Sequence, residues 1–479
     1  MNADKEYLDS IKSQQIPLCV LDTQGSFSNI PFVFFYENTD SSADFMSSGI
    51  LRDSFFRTMQ QFPIFAGRIK GEGRGRISIV IDKDNVNMPD YVESTGDVHI
   101  DELKEAKFSW RAWPAVVATA GPMTSANKDG EIKLINVHVV RLKENSGVLI
   151  YISVPHYVLD GEGHMEVIRR WCSIYQLIAS RQAELVDELP AYTFDRSIVL
   201  QELPKERAPL DDTTHYTFTK FRLLAELFAW ISPKLRGYIL SKIVEKQKAE
   251  SHLFHISQSS FESLRALVSQ HLPDNKDVTI NHLLLALVTK TLAQAQAAAS
   301  NKNSGNRSTE DVLPVAVIFE TRKQLLLESN SYIGNALMPK IALKPLVELE
   351  SPTTAESLAT TVYGYKELVN NIDAPLVASF IDAVWQIPSC FTRPIVRFAR
   401  SKTAASFVYD IMPNMYEADF GYGRPVWVSP IEPFRANATL LLTGRNPNDG
   451  VDVFLTAYPE VMKEILANKF WASVAAKTY

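Results

Sequence analysis

The sequence predicts an α+β protein with mixed sheets, built from more than one domain. At 479 residues and 46% hydrophobic content, the chain is long enough for two or three separate cores. Apolar strand-like runs and amphipathic helical stretches follow one another without regular alternation. Layered mixed sheets produce that pattern, whereas a single doubly wound sheet does not. No short-period repeat interrupts it.

Residues 16–22 and 30–36 read as short strands separated by a Gly25-Ser26 turn, the second introduced by Pro31. Leu51, Phe55 and Met59 then recur at helical spacing up to Phe62-Pro63. Residues 77–81 are a strand. The preceding glycine-rich piece, Gly71-Glu-Gly-Arg-Gly-Arg76, has no strand directly before it and no helix after it. Its amides would not converge on a phosphate, so it reads as a hairpin turn. Residues 132–142 and 147–154 form a hairpin across Asn145, and His138, inside its first strand, reads as structural. Residues 203–250 are first polar and proline-containing, then amphipathic from about 221 to 243. They read as a crossover with a docked amphipathic helix in a domain linker, the alternative being a helix that covers a cleft or touches a membrane surface, and they divide the chain into 1–202 and 251–479.

In the second half, residues 253–257 are a strand, and Ser259-x-x-Glu262 reads as a capping box. Thr279-Ile-Asn281 precedes an apolar helix, residues 282–299, and residues 312–319 form a buried strand ending at Glu320-Thr-Arg322. Tyr332-Ile-Gly-Asn335 is a turn, and Thr353-x-x-Glu356 is a second capping box. Residues 440–442 and 451–455 pair as a closing hairpin before a C-terminal helix, residues 460–471.

Composition excludes several classes of function. A net charge of −6 with interspersed signs gives no footprint for nucleic acid or an anionic membrane. Cys19, Cys172 and Cys390 lie far apart, as in a reducing compartment without a disulfide framework. With no signal-type start and no long apolar run, the expectation is a soluble, cytoplasmic, monomeric protein. Asp419-Phe-Gly421 lacks the other kinase signatures, and His252 with His255 lacks further zinc ligands. No metal is expected.

The chemistry concentrates at residues 151–180. An apolar strand stops at Pro155, His156 follows on the turn, Asp160 comes four residues later, Gly161 lets the chain bend away, and a helical period resumes from Met165. A neutral imidazole suits proton transfer near pH 7, and a strand end holds it rigidly in reach of a substrate. His156 with Asp160 is thus a candidate general base with a nearby carboxylate. A core histidine beside a turn-forming Asp-Gly is the structural alternative for that stretch taken by itself.

Together, His156-Tyr-Val-Leu-Asp160-Gly161 and Asp419-Phe-Gly-Tyr-Gly423 resemble the BAHD acyl-CoA-dependent acyltransferases, closer in wording to fungal members than to plant ones. Ala66-Gly67-Arg68, Phe254-His255-Ile256-Ser257 and Tyr332-Ile333-Gly334-Asn335 extend the likeness in the same order over nearly the whole chain. The resemblance implies two pseudo-symmetric chloramphenicol acetyltransferase-like domains with the active site in the channel between them. It implies acyl-CoA as co-substrate, a small-molecule hydroxyl or amine as acceptor, and no tightly bound cofactor. His156 would be the base, and Asp160 would pair with Arg322 to fix its loop. Gly161, Thr279, Ser406, Asp419 and Gly421 would contact or shape the substrate channel, with Asp419 holding a loop near it. Where relatives have Trp this chain has Tyr422, and Ser406 and Tyr409 are the candidate oxyanion donors. The rival readings are a condensation-type enzyme using carrier-protein thioesters, against which Pro155 directly before His156 speaks, and a non-catalytic binding protein on the same scaffold.

Overall fold

The computed structural model describes residues 3–25, 29–72, 76–118, 132–201, 203–210, 249–272, 278–300, 311–327, 332–386, 405–408, 414–431, 437–446 and 448–479. Two mixed sheets dominate. The sheet that carries His156 has five strands in the order Trp427–Pro430, Asn29–Glu37, Gly147–Pro155, Asn136–Arg141 and Asp90–Thr95. Its neighbours are antiparallel except the last pair, which is parallel. Gly147–Pro155 is the central strand and is buried at every position, so both of its faces are apolar and its sequence shows no polar alternation. His138, on the next strand, has its Nε2 2.8 Å from Ser94 Oγ.

The C-terminal sheet has seven strands in the order Leu337–Pro345, Val312–Glu320, Ala405–Val408, Ala438–Thr443, Val451–Ala457, Glu250–Ile256 and Ala476–Lys477. Only Ala405–Val408 runs parallel to its neighbours. A smaller sheet of three strands joins Gln14–Pro17, Ile77–Ile81 and Arg68–Gly71. Against the sequence expectation a strand, Arg68–Gly71, does lead directly into the glycine-rich piece, but its antiparallel pairing with Ile77–Ile81 still brackets that piece as a hairpin connection.

Each large sheet has its own helical cover. Helices Ser48–Gln61 and Gly161–Ala179 lie over the His156 sheet, where Trp171 packs edge-on to Phe55 at 5.4 Å and to Phe420 at 5.1 Å. The Trp171 indole N–H donates to Ser54 Oγ at 2.9 Å, so its one polar atom is satisfied inside the core. Under the C-terminal sheet the helix Ile280–Ala299 is buried on nearly all sides, as its almost continuous run of Leu, Ala and Val demands. Among the described residues no helix is long and apolar enough to cross a membrane.

Several boundaries differ from the sequence expectation. The strand Trp427–Pro430 belongs to the C-terminal half of the chain yet pairs with Asn29–Glu37, so a cut at 203–250 does not separate the two sheets. The helix expected from Met165 begins at Gly161, because the Asp160 side chain accepts from Gly163 N–H and caps it. Gly161 is therefore a first-turn helical residue and supplies no left-handed bend. The first expected capping box gives way to an N-cap at Ser257, two residues earlier, whose side chain accepts from Ser260 N–H, and the second shifts one residue later, to Thr354 with Ser357. The C-terminal helix divides into Pro459–Ala467 and Lys469–Val474, where Asn468 caps the second piece. The expected amphipathic helix at 221–243 lies outside the described residues, as does Cys390; Cys19 and Cys172 are buried thiols.

Because Trp171 is 1% exposed and joins two helices to the Phe420 loop, Trp171→Ala is expected to cost about 3–5 kcal/mol. A urea midpoint lowered by that free energy divided by the m-value, with the m-value itself unchanged, is the result that checks it.

Candidate active site

His156 is the first residue after the central strand, in a turn closed by Val158 N–H donating to Pro155 O at 2.8 Å. The strand fixes the backbone on one side and the capped helix on the other. The imidazole is half-buried.

Asp160 is 1% exposed and makes two kinds of bond at once. Its Oδ1 accepts from Gly163 N–H at 3.0 Å and from Arg322 Nη2 at 2.8 Å, and its Oδ2 accepts from Ala336 N–H at 3.0 Å. Burial pushes the carboxyl upward, but the Arg322 guanidinium and the two amides outweigh it and hold Asp160 below the usual carboxylate range. Arg322 also holds Glu320 Oε1 and donates to Gly334 O, each at about 2.9 and 2.8 Å respectively. Glu320 is pushed up to about 7 by burial, against the opposing pull of Arg322.

Arg322 and Ala336 come from the other sheet. Both lie in the connection between Val312–Glu320 and Leu337–Pro345, whose pairing register puts Leu337 opposite Glu320. Thr321 pins the neck of this connection, its N–H and Oγ1 both donating to Ala336 O at 2.7 and 2.6 Å. A loop of the C-terminal sheet thus grips the turn of the His156 sheet.

The same loop supplies Asn335, which the sequence places in a turn and in a stretch of family likeness but not beside His156. Its Oδ1 lies 3.1 Å from His156 Nδ1, and its Nδ2 donates to Asp22 Oδ1 at 3.1 Å. Nothing in the residue spacing joins positions 22, 156 and 335; only the sheet topology does. A second histidine, His164, lies one helical turn beyond the Asp160 cap with both ring nitrogens buried and without hydrogen-bond partners. Burial, with a smaller contribution from His156, pushes it down to about 3, so it stays a neutral core residue.

Thr279 caps the helix Ile280–Ala299, its side chain accepting from His282 N–H. Ser406 lies in the strand Ala405–Val408, its backbone paired with Ala316. Tyr409 lies outside the described residues. Asp419 Oδ1 accepts from the N–H groups of Gly421 and Gly423 at 2.7 and 3.0 Å. Both glycines have positive φ, +94° and +88°, which glycine adopts without a Cβ penalty. Gln176 donates to Asp419 O at 2.6 Å, and Gln176 lies some four helical turns past Gly161, roughly 20 Å along the axis. Asp419 and Gly421 therefore shape a loop at the far end of the helix that begins at Asp160, and the structure does not bring them to His156.

Removing Asp160 would leave Arg322, 8% exposed, as a buried charge without its main partner. Asp160→Ala is expected to cost about 3–5 kcal/mol of stability. Since the folded carboxyl titrates below its unfolded value, its contribution is full above the unfolded value near about 4 and fades as pH falls through the folded one. Denaturation at pH 7 and pH 3 should show the difference between wild type and Asp160→Ala shrinking on acidification.

Comparison with known proteins bears on the whole architecture. The model of the transferase family matches residues 9–469. Phenolic glucoside malonyltransferase 2 of Arabidopsis thaliana is 23% identical over 465 residues, covering 94% of this chain and 92% of that protein. The fold is also that of TRI101 from F. graminearum, solved with coenzyme A and T-2 mycotoxin, at a TM-score of 0.70 and 14% identity over 97% of this chain and 100% of that one. Vinorine synthase superposes with a TM-score of 0.60 and 16% identity over 97% of this chain and 98% of its own. With a family match over nearly its full length and this α+β fold, the chain belongs to the BAHD acyltransferase family.

Proposed function

We propose that the protein transfers an acyl group from acyl-CoA to a hydroxyl of a small-molecule acceptor, with an amine as the second acceptor class, and that His156 is the base. The observation that carries this reading is the position of His156. Its turn leaves one sheet while Asn335 and Arg322, from the other sheet, hold it and its loop. A junction between two halves is where a donor and an acceptor can approach one imidazole from different sides. The TRI101 structure holds coenzyme A together with T-2 mycotoxin, which supports a CoA thioester as donor here.

His156 Nδ1 faces an amide oxygen, which only accepts, so the ring carries its proton on Nδ1 and its lone pair on Nε2. Nε2 then takes the proton of the acceptor hydroxyl as its oxygen attacks the thioester carbonyl. The imidazolium so formed returns the proton to the departing thiolate, and no covalent acyl-enzyme is needed. The tetrahedral oxyanion requires a donor, and Ser406 and Tyr409 are proposed for it. Val408 pairs with Ile318, so the strand Ala405–Val408 runs toward the sheet end that leads into Arg322, which supports that placement. Asp160 and Arg322 act through geometry, as the buried clamp that fixes the turn.

His156→Ala is expected to lower the rate of acyl transfer by about 10²–10⁴-fold while the unfolding midpoint and acyl-CoA binding stay near wild type. The assay follows thiol release and product mass from a panel of acyl-CoAs with a metabolite extract. Undiminished turnover by His156→Ala would remove His156 from the mechanism. Absence of any product from well-folded wild type with every donor would count against a free CoA thioester as donor.

A further inference from the structure

Beyond Asn335, the chain of contacts from His156 continues inward to two charged residues that no motif or comparison assigns. Asp22 is fully buried, and its two oxygens are surrounded by donors. Oδ1 accepts from the backbone N–H and the Nδ2 of Asn335 at 3.0 and 3.1 Å, and Oδ2 accepts from Cys19 N–H at 2.8 Å. Arg196 Nε lies 3.3 Å from Asp22 Oδ2, with the two side chains 2% and 0% exposed. Arg196 in turn donates from Nη2 to Val158 O at 2.8 Å, within the turn that follows His156. Its guanidinium carbon lies 5.4 Å from the centre of the Tyr332 ring.

The chemistry of these groups admits one arrangement. A carboxylate only accepts, so Asn335 must point its NH₂ at Asp22 and its carbonyl oxygen at His156. That oxygen only accepts as well, so His156 must donate from Nδ1. We propose that Asp22 and Arg196 are positioning residues that set the tautomer and ring orientation of His156 through Asn335. The negative charge of Asp22 polarises the intervening amide and strengthens its oxygen as an acceptor for the imidazolium that forms during transfer. Arg196 holds the carboxylate in place and ties it to the backbone of the histidine turn. Gly334 is the residue that makes room: a Cβ there would stand 2.7 Å from the Arg196 guanidinium carbon.

Two burdens are evident in this arrangement. A buried ion pair is costly to desolvate, and hydrophobic packing of equal volume often serves stability as well or better. Arg196 also buries Nε and Nη1 without a hydrogen-bond partner, so it meets Asp22 as an ion pair and not through a formed hydrogen bond. A fold selected for stability alone gains little from such a pair, whereas a fold that must hold one imidazole in one tautomer gains a rigid accept-only group at the right place.

This rests on His156 acting as the base, and the test separates the two claims. Histidine ring nitrogens of the full-length protein are labelled with ¹⁵N, and the His156 signals are assigned by their loss in His156→Gln. The wild type is expected to show Nδ1 as the protonated nitrogen and Nε2 as the bare one. Asp22→Asn, which can donate as well as accept, frees the Asn335 amide to turn over, and a population with the proton on Nε2 should appear. Turnover number should fall by about 10- to 100-fold with KM for acyl-CoA unchanged. If Asp22→Asn does not fold because Arg196 is stranded, the double variant Asp22→Asn with Arg196→Gln removes both charges and is read in the same way. An Nδ1-protonated His156 that persists unchanged in the folded variant overturns the proposal, as does a wild-type ring protonated on Nε2. Full activity in His156→Gln would instead refute the base assignment and leave the tautomer result standing.

Discussion

The buried pair of Asp160 and Arg322 is the constraint on which the rest of the site depends. One carboxylate simultaneously caps the helix Gly161–Ala179, accepts a backbone amide from the opposite sheet and neutralises a cation from that sheet. Each of these tasks could be done elsewhere by a separate residue. Done by one side chain, they become a single geometric statement: the histidine turn, the helix start and the loop from the C-terminal sheet have one relative position. A charge left unpaired inside the protein is expensive, so the two halves meet here or the fold pays a penalty at both ends of the pair.

The sheets make that meeting unavoidable. The connection from Val312–Glu320 to Leu337–Pro345 starts and ends at one point, because the antiparallel register brings Glu320 opposite Leu337 and Thr321 holds Ala336. Everything between is a loop with a fixed neck, and that loop delivers Arg322, Gly334, Asn335 and Ala336 to one place. On the other side, Trp427–Pro430 leaves the C-terminal half and adds an edge strand to the His156 sheet. The chain therefore crosses between the sheets in both directions. Interlocking of this kind resists the sliding that two independently folded halves would allow, and a site shared between halves needs that resistance.

How much of this was legible in the sequence follows from how local each signal is. The apolar run into Pro155, the imidazole after it and the helical period beyond Met165 all lie within thirty residues, so the strand, the turn and His156 could be read directly. The pairing of Asp160 with Arg322 came only through the family resemblance, since 162 residues separate them. Asp22, Arg196 and Asn335 carried no local signal for their joint role. Asp22 sits where a strand was expected, and Asn335 in what reads as an ordinary turn; sheet topology alone assembles them. Asp419 was expected to hold a loop, and its carboxylate is occupied by the amides of two left-handed glycines, which is a local loop device. A motif reports that a residue is constrained, and only the fold reports by what.

The choice of an amide rather than a carboxylate beside His156 has a physical logic. A carboxylate bonded directly to an imidazole both orients it and favours its charged form, and a base that is already protonated accepts nothing. An amide orients equally well, because its oxygen can only accept, but it carries no net charge. Placing Asp22 on the far side of that amide keeps the orienting power and moves the charge one group away, where it polarises the acceptor without sitting on the ring. Arg196 then closes the series, lying at ion-pair distance from Asp22 and donating to the carbonyl of Val158, two residues after His156. Orientation thus returns to the same turn from which it began, so a displacement of any one member strains all the others.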